Sequence, residues 1–218
     1  METILVFKVS VLHLQKILNI MKDKIIKKAT DMFLKLGFKS VTMDDIACEM
    51  CISKKTIYKY FINKELLIEE GTSKVHDTIH QEINAIVSKN YNAIQENFEI
   101  RNMFKEMFSS TDNSPIYQLK RHYPEIYEKV MQREISECKK CFTENIEKGI
   151  SQGLYRDEID IETYVKFYYT LIFSINETTV LEADAVKLEN LALEYHTRAM
   201  ATKKGLIELE KQLINYTL

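Results

Sequence analysis

Six residues have spacings that suit metal or redox chemistry. Four cysteines form two Cys-x-x-Cys pairs, Cys48/Cys51 and Cys138/Cys141, a spacing found in zinc and redox sites. The pairs lie about 90 residues apart, and Cys138 falls on the apolar stripe of a predicted helix. We therefore predict structural thiols in a reducing compartment, with zinc binding or a redox switch as the alternative.

The remaining two are His76 and His80, which share a helix face at i, i+4, the spacing of a two-histidine metal pair. A metalloprotease motif requires a Glu directly after the first histidine, and none follows His76. We therefore expect structural or solvent-facing histidines and no metal. The sequence also lacks a nucleophile elbow, a Walker loop and a dinucleotide fingerprint. We predict no cofactor and no enzymatic activity. A helical enzyme and a scaffold protein remain the less favoured classes.

Basic side chains near the N-terminus could bind nucleic acid. The net charge of the 218 residues is only -2, but residues 21–64 carry ten basic and five acidic side chains, a local charge of +5. Residues 65–218 have a charge of -8 and residues 1–20 a charge of +1. Such a separation of sign along a chain indicates contact with nucleic acid at its basic end.

The elements that would position these residues are helical. The chain has 5 Gly and 2 Pro, few for the turns of a β-sheet protein, and 45% of its residues are hydrophobic. In the basic part, apolar periodicity predicts helices over 22–36, 43–50 and the segment that follows Ser53. Gly37 would end the first, and Thr42 with Asp45 would form a capping box for the second. A fourth helix would begin after Asn63.

Further helices are predicted over the rest of the chain. Their ranges are 64–87, 92–109, 115–121, about 28 residues after Pro124, 160–180, 185–203 and 206–216. We expect residues 154–157 to form a loop. Lys203-Lys204-Gly205 is expected to end the 185–203 helix. The 160–180 helix is apolar in nearly every direction, which predicts burial on both sides, one of them against a partner subunit. No run approaches the roughly 20 apolar residues that span a membrane.

Residues 43–62 have the spacing of a helix-turn-helix, with the small Ala47 where the two helices cross. Three runs, Thr42-Met-Asp-Asp-Ile-Ala47, Ile52-Ser-Lys-Lys-Thr-Ile-Tyr-Lys-Tyr-Phe61 and Asn63-Lys-Glu-Leu-Leu67, resemble the N-terminal domain of TetR-family transcriptional repressors. The resemblance covers about residues 21–67, and beyond it only the helical architecture is similar. Cys51 departs from the family pattern, because Gly usually stands at this turn, so the turn is expected to be slightly strained.

Residue types predict how this segment would contact DNA. Ile57 and Phe61 are expected in the core. On the exposed face of the second helix we expect base contacts from Lys54, Lys55, Thr56 and Lys59. The resemblance places Thr42, Tyr58, Tyr60 and Lys64 against the phosphate backbone, where contacts set register and affinity. The bland alternative is a solvated basic helix face over core anchors.

The resemblance further implies an all-α fold in which a three-helix head, residues 21–67, precedes a helical ligand-binding and dimerisation domain, residues 68–218. Residues 1–20 would be an N-terminal extension, either a separate helix or a frayed arm, and Met21 is a candidate natural start. Aromatic and Met residues suit an apolar ligand pocket, although each alone could be ordinary core. The pocket candidates are Phe104, Met107, Phe108, Tyr117, Tyr127, Met131, Tyr168 and Phe173.

The function that the resemblance implies is regulation of transcription, with the protein acting as a repressor. We expect a cytoplasmic homodimer, paired through about residues 160–203, that binds a double-stranded, pseudo-palindromic operator and is released by an unknown small molecule. No membrane partner is expected. An activator or a ligand-independent DNA-binding protein of the same fold is the alternative.

Overall fold

The computed structural model describes the backbone of residues 2–216 and the side chains of residues 19–216. Within these residues every regular element is a helix, as the sequence predicts. The helices in chain order are α1 (Glu2–Leu36), α2 (Met43–Glu49), α3 (Lys54–Tyr58), α4 (Lys64–Val87), α5 (Ala93–Met107), α6 (Pro115–His122), α7 (Pro124–Ser151), α8 (Ile161–Thr178), α9 (Glu182–Met200) and α10 (Lys203–Asn215). The chain divides into two compact units between Lys74 and Val75, a point inside α4.

The first unit, called the head below, is built on a small and fully enclosed core. Apolar residues at helical spacing on each of its four helices meet there. Its most deeply buried members are Ile25, Phe33, Ile46, Ile57, Phe61, Leu67 and Ile68. Two ion pairs at the surface of the head join its helices, Lys22 to Glu70 at 2.6 Å and Lys28 to Glu49 at 2.8 Å.

The first helix differs from the sequence expectation at its beginning. It runs without interruption from Glu2 to Leu36, so residues 2–20 continue the first helix of the head instead of forming a separate helix or a frayed arm. Gly37 ends α1 with φ of 94°, a left-handed conformation that glycine adopts without a Cβ clash. Whether the natural chain starts at Met21 stays a prediction.

The second unit has its own core between α5, α7, α8, α9 and α10. Its largest fully buried side chains are Ile94, Ile146, Tyr155, Leu193 and Met200. A buried polar network lies beside it, in which the Asn145 side-chain amide donates to the Ala93 carbonyl at 3.0 Å and to Glu96 Oε1 at 2.7 Å. Lys148 neutralises the same carboxylate at 2.6 Å, so Glu96 is buried as a paired charge.

One prediction for the C-terminal part of the chain was wrong and another is confirmed. Lys203-Lys204-Gly205 does not end a helix but begins α10, because the Thr202 side chain accepts a hydrogen bond from the Gly205 N–H at 3.1 Å and caps the new helix. Residues 154–157 form a loop, as predicted, and Leu154 and Tyr155 are buried within it. Only glycine fits opposite them: a Cβ on Gly205 would lie 2.1 Å from the Leu154 carbonyl oxygen.

Helix α8 is less buried than its apolar sequence predicts. Val165, Tyr168 and Ile175 face the core, whereas Phe167 is 63% exposed and Leu171 is exposed as well. One side of α8 therefore carries a large apolar surface that this single chain leaves in contact with solvent.

None of the helices in the described part of the chain is both long and apolar enough to cross a membrane.

Candidate DNA-binding site

The helix-turn-helix begins with the predicted capping box. The Asp45 N–H donates to Thr42 Oγ1 at 3.2 Å, and the Thr42 N–H donates back to Asp45 Oδ2 at 2.8 Å. These two bonds satisfy backbone donors that the first turn of α2 cannot pair internally. The hydrogen bonds from Thr42 hold the pKa of the Asp45 carboxyl below its usual range. The start of α2 is thus fixed by two side chains that lie three positions apart in sequence.

The turn between α2 and α3 contains the departure seen in the sequence. Cys51 has φ of 54°, the left-handed region where residues with a Cβ are disfavoured. The turn is closed by two backbone bonds, Cys51 N–H to the Cys48 carbonyl and Ile52 N–H to the Ala47 carbonyl, both at 3.0 Å. Ala47 is buried at this crossing, as expected. Cys51 thus occupies a conformation that favours glycine.

Helix α3 is short, and its orientation is set from both of its faces. Ser53 caps it by accepting a hydrogen bond from the Thr56 N–H at 3.1 Å. Ile57 and, just beyond the helix, Phe61 are both 0% exposed, which confirms the predicted core anchors. With Ile57 held inward, Lys55 and Lys59 are exposed on the opposite side. A helix in this position can enter the major groove of B-DNA, which is wide enough for one α-helix.

The four predicted base-contacting residues are brought together, although they are not equally available. Lys54, Lys55 and Lys59 are exposed, and Thr56 is half-buried with its hydroxyl 2.8 Å from that of Ser53. Lys54 Nζ lies 2.7 Å from Asp44 Oδ2, and this hydrogen bond raises the pKa of the lysine. Sequence reasoning missed Asp44, because a pair ten residues apart across a turn has no periodic signal.

The four predicted phosphate-contacting residues lie around α3. Tyr58 is exposed, Tyr60 is half-buried, and Thr42 is exposed although its hydroxyl already serves the capping box. The Lys64 ammonium donates to the Lys39 carbonyl at 3.3 Å and lies 5.7 Å from the centroid of the Phe33 ring. The contacts of these four residues with phosphate stay predictions.

The predicted ligand-pocket residues fall into several groups within the second unit. Phe104 and Phe108 stack with ring centroids 6.5 Å apart, and the Arg101 guanidinium lies 5.4 Å from the Phe104 centroid. Tyr127 and Met131 are buried one turn apart on α7, with the Tyr127 hydroxyl bonded to Glu177. The other members sit half-buried or in the core: Met107, Tyr117, Tyr168 and Phe173.

Tyr168 lies at a polar centre inside the core of the second unit. Its ring stacks on the His196 imidazole at 4.4 Å with 8° between the planes. Burial lowers the pKa of His196 to about 4, so the imidazole is neutral at pH 7. Nearby charges include Glu189, which pairs with Arg101 at 2.7 Å, and Glu182, whose pKa burial and the Glu189 charge raise to about 7. Sequence reasoning missed this centre, since Glu182, Glu189 and His196 look like ordinary polar positions of a helix.

The four cysteines lie in two different environments. All four are free thiols: Cys48 and Cys51 are exposed, and Cys138 and Cys141 are half-buried. Burial raises the pKa of Cys138 to about 12 and also raises that of Cys141. Cys138 and Cys141 are therefore protonated at neutral pH, whereas metal binding and nucleophilic attack require the thiolate.

Comparison with known proteins identifies the head. Residues 25–70 match the family model described as "Bacterial regulatory proteins, tetR family". These residues form a TetR-family DNA-binding domain. The assignment rests on the same segment whose capping box, turn and exposed lysines are described above. The match lies within the head and does not reach the second unit.

A curated protein similar to part of this chain is the biofilm operon icaADBC HTH-type negative transcriptional regulator IcaR of Staphylococcus aureus strain Newman. The two are 29% identical over 107 residues, which is 49% of this chain and 52% of that protein. The match thus spans about half the length of the curated relatives. IcaR is named as a negative regulator.

Solved structures extend the likeness to the whole fold. A transcriptional regulator from Cytophaga hutchinsonii has a TM-score of 0.68 at 17% identity, covering 83% of this chain and 98% of that one. Thermus thermophilus FadR, a TetR-family repressor solved with lauroyl-CoA, has a TM-score of 0.55 at 16% identity, covering 84% and 96%. At these identities the likeness shows the fold alone: a helix-turn-helix head followed by a helical domain.

Proposed function

We propose that this TetR-family regulator is a repressor that binds a pseudo-palindromic operator as a homodimer and is released by a small molecule. The observation that carries the DNA-binding step is α3, held by Ser53 and Ile57 so that its lysines are exposed. Repression is supported by the name of the IcaR relative. Because operator DNA of a bacterium lies in the cytoplasm, we also propose a cytoplasmic location.

In the proposed complex α3 lies in the major groove and its side chains contact the DNA bases. Lys54, Lys55, Thr56 and Lys59 face base edges, where an ammonium can donate to guanine O6 and N7. For Lys54 this requires exchange of Asp44 for DNA. A solvent-exposed ion pair of this kind contributes at most about 1 kcal/mol, so the exchange is readily offset by a contact with DNA.

Phosphate contacts from Thr42, Tyr58, Tyr60 and Lys64 set the register of the head on the duplex. Hydroxyl and ammonium donors at these positions do not distinguish base sequence, so they strengthen binding to any DNA. The charge of +5 in residues 21–64 supports this role, and the charge of -8 in residues 65–218 disfavours contact of that part with DNA.

Dimerisation is proposed through α8 and α9, the region predicted from the sequence. Both helices expose large apolar side chains at helical spacing: Phe167 and Leu171 on α8, and Leu188, Leu191 and Tyr195 on α9. A contiguous surface of this kind marks an interaction site in a soluble protein. A second copy of the chain would cover it by a two-fold symmetric, four-helix contact.

The effector is proposed to bind in the second unit, near the pocket residues predicted from the sequence. Among the described residues, two buried polar atoms of its interior, Arg101 Nε and Glu182 Oε2, have no hydrogen-bond partner. Each such atom costs about 1–3 kcal/mol, which a ligand with matching polar groups would recover. Binding of lauroyl-CoA by the FadR relative supports an effector site within this fold.

The proposal is tested by footprinting the full chain on DNA upstream of its own gene. We expect two protected half-sites in the major groove, one helical turn or a multiple apart, with a dimer in sedimentation. Transcription in vitro from that promoter should fall when the protein is added. A single unpaired footprint would contradict the dimeric mode, increased transcription would show an activator, and protection no better than on random DNA would contradict specific regulation.

A further inference from the structure

Two histidines of α4 and a carboxylate of α7 form a compact cluster in the second unit. His76, His80 and Glu134 each offer one ligand atom, and these three atoms lie within 4.8 Å of one another. The His76 and His80 ring centroids are 4.3 Å apart. The histidines alone favoured a structural role, and Glu134, 58 residues beyond His76, changes that interpretation.

One member of the cluster holds a nitrogen that is ready to bind an ion. His80 Nε2 is buried and has no hydrogen-bond partner among the described residues. A buried nitrogen without a partner costs free energy, and coordination to an ion would recover it.

The carboxylate is already positioned against the first histidine. Glu134 Oε1 lies 2.5 Å from His76 Nδ1, and the side chains are 19% and 11% exposed, so bulk water screens the pair only weakly. The surrounding charges are mixed: Arg133 pairs with Asp77 at 2.9 Å, while Arg133 lowers and Glu137 raises the pKa of His80. The cluster therefore has one adjacent carboxylate and no excess of cations that would repel an ion.

We propose that His76, His80 and Glu134 bind one divalent first-row transition-metal ion such as Zn²⁺. Two imidazoles and a carboxylate form a donor set that zinc accepts, with water in the fourth position. Ligand atoms of a tetrahedral site with bonds of about 2.0–2.2 Å lie roughly 3.4 Å apart. Side-chain shifts of about 1 Å would fit the cluster to the ion, widening the 2.5 Å separation of His76 Nδ1 and Glu134 Oε1 and drawing the more distant ligand atoms together. This site does not depend on the proposed DNA-binding function.

The competing account is that His76 and Glu134 form only an ion pair between α4 and α7. A titration of the full chain, freed of metal by chelator and dialysis, separates the two. Co²⁺ is the spectroscopic probe and Zn²⁺ the competitor. We expect one Co²⁺ per chain, d–d absorption of nitrogen and oxygen ligands, and displacement by Zn²⁺. No stoichiometric binding, or a sulfur-to-cobalt charge-transfer band from the cysteines, would overturn the proposal.

Variants test the three ligands one by one. His76→Gln, His80→Gln and Glu134→Gln should each lower the Co²⁺ affinity at least tenfold, since each removes one of three protein ligands. The matched controls are His122→Gln on α6 and the exposed Glu147→Gln on α7, which should keep the wild-type affinity. Far-UV circular dichroism verifies folding of each variant. If His80→Gln does not fold, the Co²⁺ affinity of Glu134→Gln becomes the deciding measurement. An affinity equal to that of the wild type would then overturn the proposed metal site.

Discussion

The head and the second unit are stabilised in different ways. In the head, short-range signals decide the structure: Thr42 with Asp45, Ser53 with Thr56, and Gly37 after α1 each act within three or four residues. Its charged side chains lie at the surface. The second unit instead buries charges that pair across long stretches of sequence, as Glu96 does with Lys148 and Asn145. The structure of the head is thus determined mainly by interactions between residues close in sequence. The polar interior of the second unit depends on tertiary packing between residues far apart in sequence.

That difference extends to the cost of the two interiors. The core of the head is apolar and tightly closed, so the energetic penalty for a lost side chain is direct. The second unit keeps Glu182 and His196 buried at a price in solvation, with Glu182 Oε2 among the atoms that lack a partner in the described structure. Such unsatisfied groups are found where a protein has another use for them.

The largest expected effect is loss of the core of the head through Phe61→Ala. Phe61 is 0% exposed, and its truncation should lower the free energy of unfolding by about 3–5 kcal/mol through lost transfer energy and the cavity left behind. Urea denaturation followed by circular dichroism measures it. The neighbouring Ile62→Ala is the control, since Ile62 is 78% exposed and should change stability by less than about 0.5 kcal/mol.

The second prediction concerns the buried carboxyl of Glu182. Its folded pKa of about 7 exceeds the ordinary value of 4.5, so the folded state keeps a proton that the unfolded state releases. This group therefore lowers the free energy of unfolding as the pH rises from about 4.5 to 7, by roughly 2–3 kcal/mol. Glu182→Gln should remove that loss. Urea unfolding of both proteins at several pH values in this window measures the difference.

His196 affects the same window with the opposite sign. Its folded pKa of about 4 lies below the ordinary 6.5, so its contribution makes the protein more stable as the pH rises from 4 to 6.5. The wild-type curve alone is then nearly uninformative, and the comparison with Glu182→Gln isolates the carboxyl. A difference between the two proteins that is constant over pH would contradict the assignment of a raised pKa to Glu182.

The third prediction separates base contacts from phosphate contacts on the head. Lys55→Ala should weaken binding to the operator about tenfold and binding to scrambled DNA much less, because a base contact contributes about 1–3 kcal/mol of discrimination. Tyr58→Phe and Lys64→Ala should weaken binding to both DNAs similarly. Fluorescence anisotropy on the two duplexes measures all three. Equal loss on both duplexes for Lys55→Ala would refute its base-reading role.

The smallest expected effect is a gain in stability from Cys51→Gly. At φ of 54° a residue with a Cβ destabilises the folded state by about 1–2 kcal/mol, and glycine removes this strain. Glycine also raises the conformational entropy of the unfolded chain, which offsets part of the gain in stability. The net gain should be about 0.5–1 kcal/mol, measured by thermal and urea unfolding. Cys51→Ala is the control: it removes the thiol and keeps the Cβ, so it should bring no such gain.

The sequence predicts the head closely because its signals are local and independent of one another. The capping box, the Ser53 cap and the buried Ile57 each follow from neighbouring residues, whereas the strained turn at Cys51 was expected from the family resemblance. The pair between Lys54 and Asp44 does not, because it depends on how tightly the turn brings α3 back toward α2.

In the second unit, helix existence was predictable and helix partners were not. Lys203-Lys204-Gly205 has the composition of a helix end, yet Thr202 caps a new helix there and Gly205 is required by the close approach of Leu154. Glu134 came to His76 only through the packing of α7 against α4. Long-range pairing of this kind has no period along the chain, so spacing rules do not detect it.

The most direct test of the account is a triple substitution on α3 and just beyond it. Lys54→Ala, Lys55→Ala and Lys59→Ala together should abolish specific binding to upstream DNA, measured by anisotropy against excess competitor DNA across a salt series. The control carries the same change in charge on exposed lysines of α10: Lys203→Ala, Lys204→Ala and Lys211→Ala. We predict that the control keeps specific binding and its steep salt dependence. Equal loss in both triple variants, or retained specific binding in the first, would contradict the claim that α3 reads DNA.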